Sequence, residues 1–434
     1  MAQPTASLVT SAAATKRADE GRVPAQRALE RIGYALVALT IACIGIAYPE
    51  PSPYDIAAVP TILLWLLLGL RVPRSALLFF GLLLVYHVSL FMALVPHLHQ
   101  RASVTWTASS AYLMVTAVFF AMFFCEETSR RVELALKAFL ASCIVAATAG
   151  IIGYFDILDT GEVLTLWGRA SGTFKDPNVL GSFLILGALY LSRDLLTGEA
   201  RRPSLRLAIL APVGAGIFLS FSRGSWIAAV VALATLVGLT LVTTKSAAIR
   251  RRIAVLSLAT AALVAIAVAG LLSIDHVREM LEIRAQVTQD YDEGETGRFG
   301  NQVRAIPLLL ERPNGFGPLR FRAFFGFEPH NTYIGSFANG GWAGGLSFLA
   351  LVLTTSYVGF RLALRPSPYQ RQAQIVAAAN FVLVLQAFQI DIDHWRHVFL
   401  IWGMIWGLEA ARLKWLAEER RAATGSVQVS ARPI

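Results

Sequence analysis

The sequence predicts an all-α fold: a polytopic transmembrane helical bundle of about 12 spans, with a long outer loop between spans 9 and 10. Three observations predict it. Of the 434 residues, 56% are hydrophobic and only 15% charged, whereas a soluble chain carries about a quarter charged residues. Apolar runs of roughly 18 or more residues recur along the whole length, each able to cross a ~30 Å hydrocarbon core as a helix. No segments of about 10 residues alternate in hydrophobicity, as the strands of a membrane β-barrel would.

Taken in order, residues 1–31 are rich in Ala, Ser and Thr with scattered charges and contain no apolar stretch of signal-peptide type, so they are expected to form a disordered tail. The transmembrane domain covers 32–415, with spans expected at 32–48, 54–70, 75–95, 103–125, 132–156, 178–192, 205–221, 224–243, 253–274, 333–360, 373–391 and 395–411. The sixth and seventh are the shortest or most interrupted. Residues 275–332 form the long loop and 416–434 a second tail.

A net charge of +10 could suggest a nucleic-acid partner, but most Lys and Arg stand in short loops between apolar runs, which is a topology signal. With the N-terminus inside, inner segments hold 25 basic residues, while the short outer loops share five: Arg101, Arg169, Lys175, Arg223 and Arg396. That bias puts both termini in the cytoplasm. Seven more arginines lie in the long outer loop. The cysteines Cys43, Cys125 and Cys143 sit in or beside apolar runs and read as small core hydrophobes.

Five stretches could carry chemistry. In Phe221-Ser222-Arg223-Gly224, no acidic residue lies within ten positions of Arg223. It is either an interfacial arginine snorkelling to headgroups or a guanidinium that grips an anion. Gly297-Arg298-Phe299-Gly300 precedes Ala305-Ile306-Pro307-Leu308-Leu309-Leu310, which suggests a short amphipathic helix on the membrane or over a cavity. Arg298 would stand at its start, unless it merely pairs with Glu295. Arg169 and Lys175 flank a segment ending in Asp176-Pro177-Asn178, a plausible helix start. Asp391, Asp393, His394 and His397 share one short turn, too compact for a convincing metal site, and holding Arg396 or another loop's arginine is the better reading. No phosphate-cradling GxxxxGK motif occurs, which disfavours an ATP-driven protein.

The fifth stretch is His330-Asn331, followed by nine residues and then Gly341-Trp342-Ala343-Gly344. With Arg169-x-Ser-Gly-Thr-Phe, Asp176-Pro177-Asn178, Ser222-Arg223-Gly224 and Gly297-Arg298, it resembles the O-antigen ligase and polysaccharide polymerase family of bacterial inner membranes. The resemblance spans roughly residues 165–400 and rests most on the histidine motif.

This resemblance implies an inverting, metal-independent glycosyltransferase acting on the periplasmic side of the bacterial inner membrane, with no cofactor. The donor would be a glycan on undecaprenyl diphosphate, the acceptor a hydroxyl of the lipid A core, with membrane lipid as surroundings and no nucleic acid. The family's essential arginines carry over onto Arg223 and Arg298, which would bind the diphosphate, and its histidine onto His330, which would be the general base. Arg169, Lys175, Asn331 and Arg320 are expected to bind substrate beside them. The chemistry is consistent: arginines can neutralise charge developing on a leaving diphosphate, and an imidazole near its ordinary pKa of about 6.5 can take a hydroxyl proton. Nearby guanidinium charge would push that pKa down. Gly340, Gly341, Gly344 and Gly345 would let the following helix pack closely.

Other readings remain at this point. A polymerase joining O-antigen or exopolysaccharide repeat units would use the same residues on a different acceptor. A transporter or flippase of lipid-linked sugars would want charge deep within spans and repeated halves, and the spans are nearly free of charge apart from Lys137. A metal-dependent transferase could draw on Glu50 and Asp55 in the first outer loop.

Overall fold

A computed structural model of the chain describes residues 24–157, 159–285 and 294–430. Most of the expected N-terminal tail therefore lies outside the described residues, as does the side chain of His276. The long helices are α1 (Pro24–Ala42), α2 (Pro53–Leu68), α3 (Leu77–Leu94), α4 (Arg101–Phe124), α5 (Thr128–Tyr154), α6 (Pro177–Thr197), α7 (Pro203–Leu219), α8 (Arg223–Thr243) and α9 (Ala247–Leu271). They are followed by α10 (Asp275–Ala285), α11 (Arg298–Leu310), α12 (Thr332–Leu364), α13 (Gln370–Gln386) and α14 (Arg396–Ser430). One two-residue hairpin, Thr165–Leu166 with Arg169–Ala170, interrupts the helical pattern.

Each expected span coincides with a helix. Eight helical segments are long and apolar enough to cross a membrane, and Pro53–Leu68 and Pro203–Leu219 are apolar but shorter. The chain is thus a multi-pass, all-α membrane protein. α13 and α14, the expected eleventh and twelfth spans, do not meet that length-and-composition test. Helix α1 begins at Pro24 and α14 runs on to Ser430, so helical structure enters both segments expected to be tails.

The sixth span is longer than its apolar run. Asp176 caps α6 by accepting a hydrogen bond from Asn178 N at 2.7 Å, and Pro177 occupies the first turn, where it needs no donor. In lipid, helices associate through packing and close approach rather than water exclusion. Gly403 and Gly407 on α14 serve this: a Cβ there would stand 2.4 and 2.5 Å from the Cβ atoms of Phe120 and Phe124 on α4. Charges from three helices meet where Arg371 bridges Asp194 at 2.7 Å and Glu133 at 2.9 Å. Lys137, the exception noted in the sequence, lies 3.6 Å from Glu133.

Helix α12 is broken at Gly341, whose φ of 65° and ψ of −161° leave the helical region. The break separates Trp342 N from its normal acceptor four residues back, the carbonyl of Ala338. The preceding loop takes both groups: Phe316 N and Gly317 N donate to Ala338 O at 2.7 and 3.1 Å, and Trp342 N donates to Pro313 O at 2.8 Å. Gly340 and Gly344 do pack closely, against Ser89 of α3. Gly341 has a different task from the helix packing expected of it, since it lets the loop dock into the helix. A Cβ there would lie 2.1 Å from Pro313 O. Gly341→Ala should therefore combine a clash with a left-handed backbone penalty of about 1–3 kcal/mol. The expected result is a lower thermal unfolding midpoint in detergent, together with reduced activity.

Helix α11 sits on that loop. Ala305 and Leu309 face a small core with Phe316, Phe321 and Ala338. Its other side leaves Phe299, Val303, Ile306 and Leu310 exposed in a helical stripe. The amphipathic helix expected from the sequence thus covers a core and also presents an apolar face of the kind that lies in a membrane interface.

Candidate functional site

The site segments stand where helices begin, so capping geometry positions them. Arg223 is the first residue of α8, and the Ser222 side chain accepts a hydrogen bond from Ser225 N at 3.2 Å. Arg298 is the first residue of α11. Both guanidinium groups therefore add to the positive end of a helix dipole, a favourable place for an anion. Ser225 also donates to Asn178 O at 3.2 Å and lies 3.1 Å from Ser182 Oγ, while Gln386 Nε2 donates to Ser182 at 2.7 Å. These buried contacts tie α6, α8 and α13 together just below Arg223.

His330 immediately precedes the cap of α12 and has φ of 46°. Few non-glycine residues adopt this left-handed backbone, and such strain gathers at functional sites. Its ring is about half exposed, and Nδ1 stands 3.5 Å from Asp391 Oδ2. Phe327 lies alongside the imidazole, with ring centroids 6.3 Å apart. Helix α11 holds the segment from the other side, since Gln302 Nε2 donates to Pro329 O at 2.8 Å.

The turn between α13 and α14 joins these parts. Thr332 N donates to Ala387 O at 2.8 Å, its hydroxyl donates to Ile390 O at 2.8 Å, and Ile392 N returns a bond to that hydroxyl at 2.9 Å. On the same turn, Gln389 O accepts from Arg298 at 3.4 Å, and the Gln389 side chain packs against Gly224, next to Arg223. Two residues on, Asp391 faces His330. One turn therefore touches the surroundings of all three residues singled out for chemistry.

The electrostatics correct one expectation. Arg298 does lower the pKa of His330, and so does burial, but the Asp391 carboxylate outweighs both, and the net shift is upward. Burial pushes Asp391 itself up, while its interaction with His330 pulls it back. Burial also raises Glu328, opposed by Arg322 at 3.5 Å. With Nδ1 turned to Asp391, Nε2 is the imidazole nitrogen left to accept a proton. Asp391→Asn should remove the main upward influence, so the folded-state pKa of His330 falls. The acidic limb of the pH–rate profile should move to lower pH, with a reduced plateau rate. An unmoved limb would mean that His330 does not control it.

The remaining candidates are placed differently. Arg169 is buried, donating through Nε to Ser220 O and through a terminal nitrogen to Asn178 Oδ1, both at 2.8 Å. It clamps the hairpin to α6 and to the end of α7. Lys175 is ion-paired with Glu50. Asn331 uses its side-chain oxygen as the α12 cap, accepting from Tyr333 N and Ile334 N, both at 3.1 Å. Its backbone N–H serves Asp391. Arg320 donates to Gln100 at 2.9 Å, where the loop is also pinned by Ser103 to Pro318 O at 2.8 Å. Arg396 grips Asp55 with two bonds of 3.0 and 2.7 Å, and not the carboxylates of its own turn. Sequence reading missed Asp391 as the partner of His330, and missed Gln302 and Gln389 as supports. The acidic run at 391–393 was the only signal, and nothing in it named its partner.

Residues 207–349 match the family model described as O-antigen ligase. The match runs from α7 into α12 and contains Arg223, Arg298 and His330, and so bears out the resemblance over that segment. Arg169, Lys175 and Asp391 fall outside it. No curated protein matches the chain.

Proposed function

From the O-antigen ligase segment that residues 207–349 carry, we propose that this membrane protein transfers a glycan from undecaprenyl diphosphate to a hydroxyl of the lipid A core. The reaction is a direct displacement at the anomeric carbon. His330 Nε2 takes the proton from the acceptor hydroxyl, and the acceptor oxygen attacks from the face opposite the diphosphate. The bond to the diphosphate breaks and the configuration inverts. Arg223 and Arg298 neutralise the charge that builds on the leaving group, the role a divalent cation plays in other transferases. Asp391 orients the imidazole and stabilises the imidazolium formed. The active site faces the periplasm of the bacterial inner membrane, and both termini are cytoplasmic.

The observation that carries this reading is the pairing of His330 with Asp391 on a turn that also receives Arg298. A lipid-linked donor suits it, because an amphiphile needs cations at headgroup depth, and helix starts in a multi-pass bundle supply them.

A deletion strain tests the reading. Loss of a ligase should leave full-length glycan accumulating on the lipid carrier, with none on the lipid A core. Single repeat units on the core would instead identify the protein as a polymerase acting on a growing polysaccharide. An unchanged glycan profile would overturn both.

A further inference from the structure

Among the described residues, helix α11 is packed on one side only. Its inner face meets the loop core through Ala305 and Leu309. From the same side Gln302 donates to Pro329 O at 2.8 Å, just before His330. The opposite face is a stripe of Phe299, Val303, Ile306 and Leu310, at the spacing that keeps to one side of a helix, and all four are exposed. Arg304 and Glu311, both exposed, stand roughly a third of a turn away from it. Charge is thus kept to the flank.

The neighbouring span sets the depth of this face. Trp342 Nε1 of α12 donates to Leu309 O at 2.9 Å, beside Leu310. From Trp342, the exposed residues Leu346, Leu349 and Leu353 carry the apolar surface along α12, a helix long and apolar enough to cross a membrane. No charged residue occurs between Trp342 and Arg361, 19 residues on, and that length of helix rises about 28 Å. A hydrocarbon core is ~30 Å thick. Arg361, paired with Glu409 at 2.6 Å, marks one edge of it, so Trp342 stands at the other, where amphipathic indole rings belong. The stripe of α11 therefore continues a lipid-facing surface and lies at its boundary. Phe299, at the far end of the stripe, supports Arg298, whose guanidinium carbon is 4.6 Å from the ring centroid.

We infer that the partner of this face is the membrane surface on the His330 side: α11 lies in the lipid interface with its stripe among the acyl chains, and that seat holds Arg298 and the segment leading to His330 at the boundary. The consequence for Arg298 and His330 rests on the transfer reaction proposed above, but the seat can be measured without it. Full-length protein with Cys43, Cys125 and Cys143 replaced by alanine would carry a nitroxide at Val303→Cys, Ile306→Cys, Arg304→Cys or Glu311→Cys, in nanodiscs of phosphatidylethanolamine and phosphatidylglycerol. Power-saturation EPR compares collisions with oxygen, which concentrates among acyl chains, and with a water-soluble nickel chelate. Oxygen should dominate about threefold at 303 and 306, and the order should reverse at 304 and 311. Chelate dominance at all four positions would overturn the seat in favour of water. Low access to both reagents at 303 and 306 would overturn it in favour of a protein partner, such as a second copy of the chain. The wild-type protein gives the same test without cysteine variants. Phosphatidylglycerol with a diazirine near the start of its acyl chain should cross-link within 299–310, and adducts on α12 with none on α11 would overturn the proposal.

In transfer assays, Val303→Asp combined with Ile306→Asp should lower kcat about fivefold at an unchanged thermal unfolding midpoint, while Val303→Leu with Ile306→Leu should stay within about twofold of wild type. Full activity in the aspartate pair would overturn the link from the seat to Arg298 and His330. If the wild-type protein transfers no glycan, the proposed reaction fails, while EPR still decides whether α11 is seated in lipid.

Discussion

Replacing His330 by alanine is expected to lower glycan transfer by about 10²- to 10⁴-fold, the usual worth of a positioned general base. The protein should remain inserted and folded, because the imidazole is half exposed and its polar contact is with Asp391. Alanine would nevertheless sit uneasily at φ of 46°. His330→Asn provides the control, since asparagine tolerates the left-handed region but cannot act as the base. Equal loss in both variants, with unchanged thermal unfolding, assigns the defect to the missing base. Activity within threefold of wild type in His330→Asn would remove His330 from the chemistry. Initial rates with a lipid-linked donor at saturating acceptor provide the measurement.

Arg298→Gln should lower kcat by about 10²- to 10³-fold, as removal of one preorganised group facing developing charge does. Lysine should not restore the rate, because it lacks the planar fork that grips phosphate oxygens. Arg298 opens α11, reaches Gln389 O, and shares that turn with Asp391. Arg223→Gln should behave alike, as the first residue of α8 beside the same turn. The double variant should cost less than the product of the two single losses if both arginines hold one diphosphate. Independent, multiplicative losses would place the two residues at separate sites. A purely positional role for Arg298 would instead appear as recovery in Arg298→Lys.

The bundle could be read from the sequence because hydrocarbon imposes it. A chain that enters lipid must satisfy its own backbone, so long apolar runs become helices, and each expected span coincided with one. A helix start was legible at Asp176-Pro177-Asn178, where proline stood at the head of an apolar run. The break at Gly341 was not, because a glycine in an apolar helix equally suggests packing. Only the loop at Pro313–Gly317, which takes the freed carbonyl and N–H, distinguishes the two.

The candidate site was legible in part for a similar reason. Arg223, Arg298 and His330 each belong to a short local motif. Asp391 stands far along the chain from His330, and no local pattern links them. The partners of the other cations were not legible, for one cause. A cation in an outer loop shows that charge is present, but not which group comes to meet it. Ser220 O and Asn178 meet Arg169, Glu50 meets Lys175, Gln100 meets Arg320 and Asp55 meets Arg396. Each of these pairings is made by tertiary structure. The pKa direction of His330 reversed for the same reason: the guanidinium was visible in the sequence, and the stronger carboxylate influence came from a distant turn.

A one-step displacement driven by His330 and the two arginines fixes the stereochemistry of the product. The anomeric configuration of the product tests it most directly. Purified full-length protein would be given a lipid diphosphate-linked glycan of known configuration and a lipid A core acceptor, with EDTA present, and the new linkage assigned by NMR. The expected result is transfer in EDTA with inversion at the anomeric carbon. Retention of configuration, or transfer that returns only when a divalent metal is added, would contradict it.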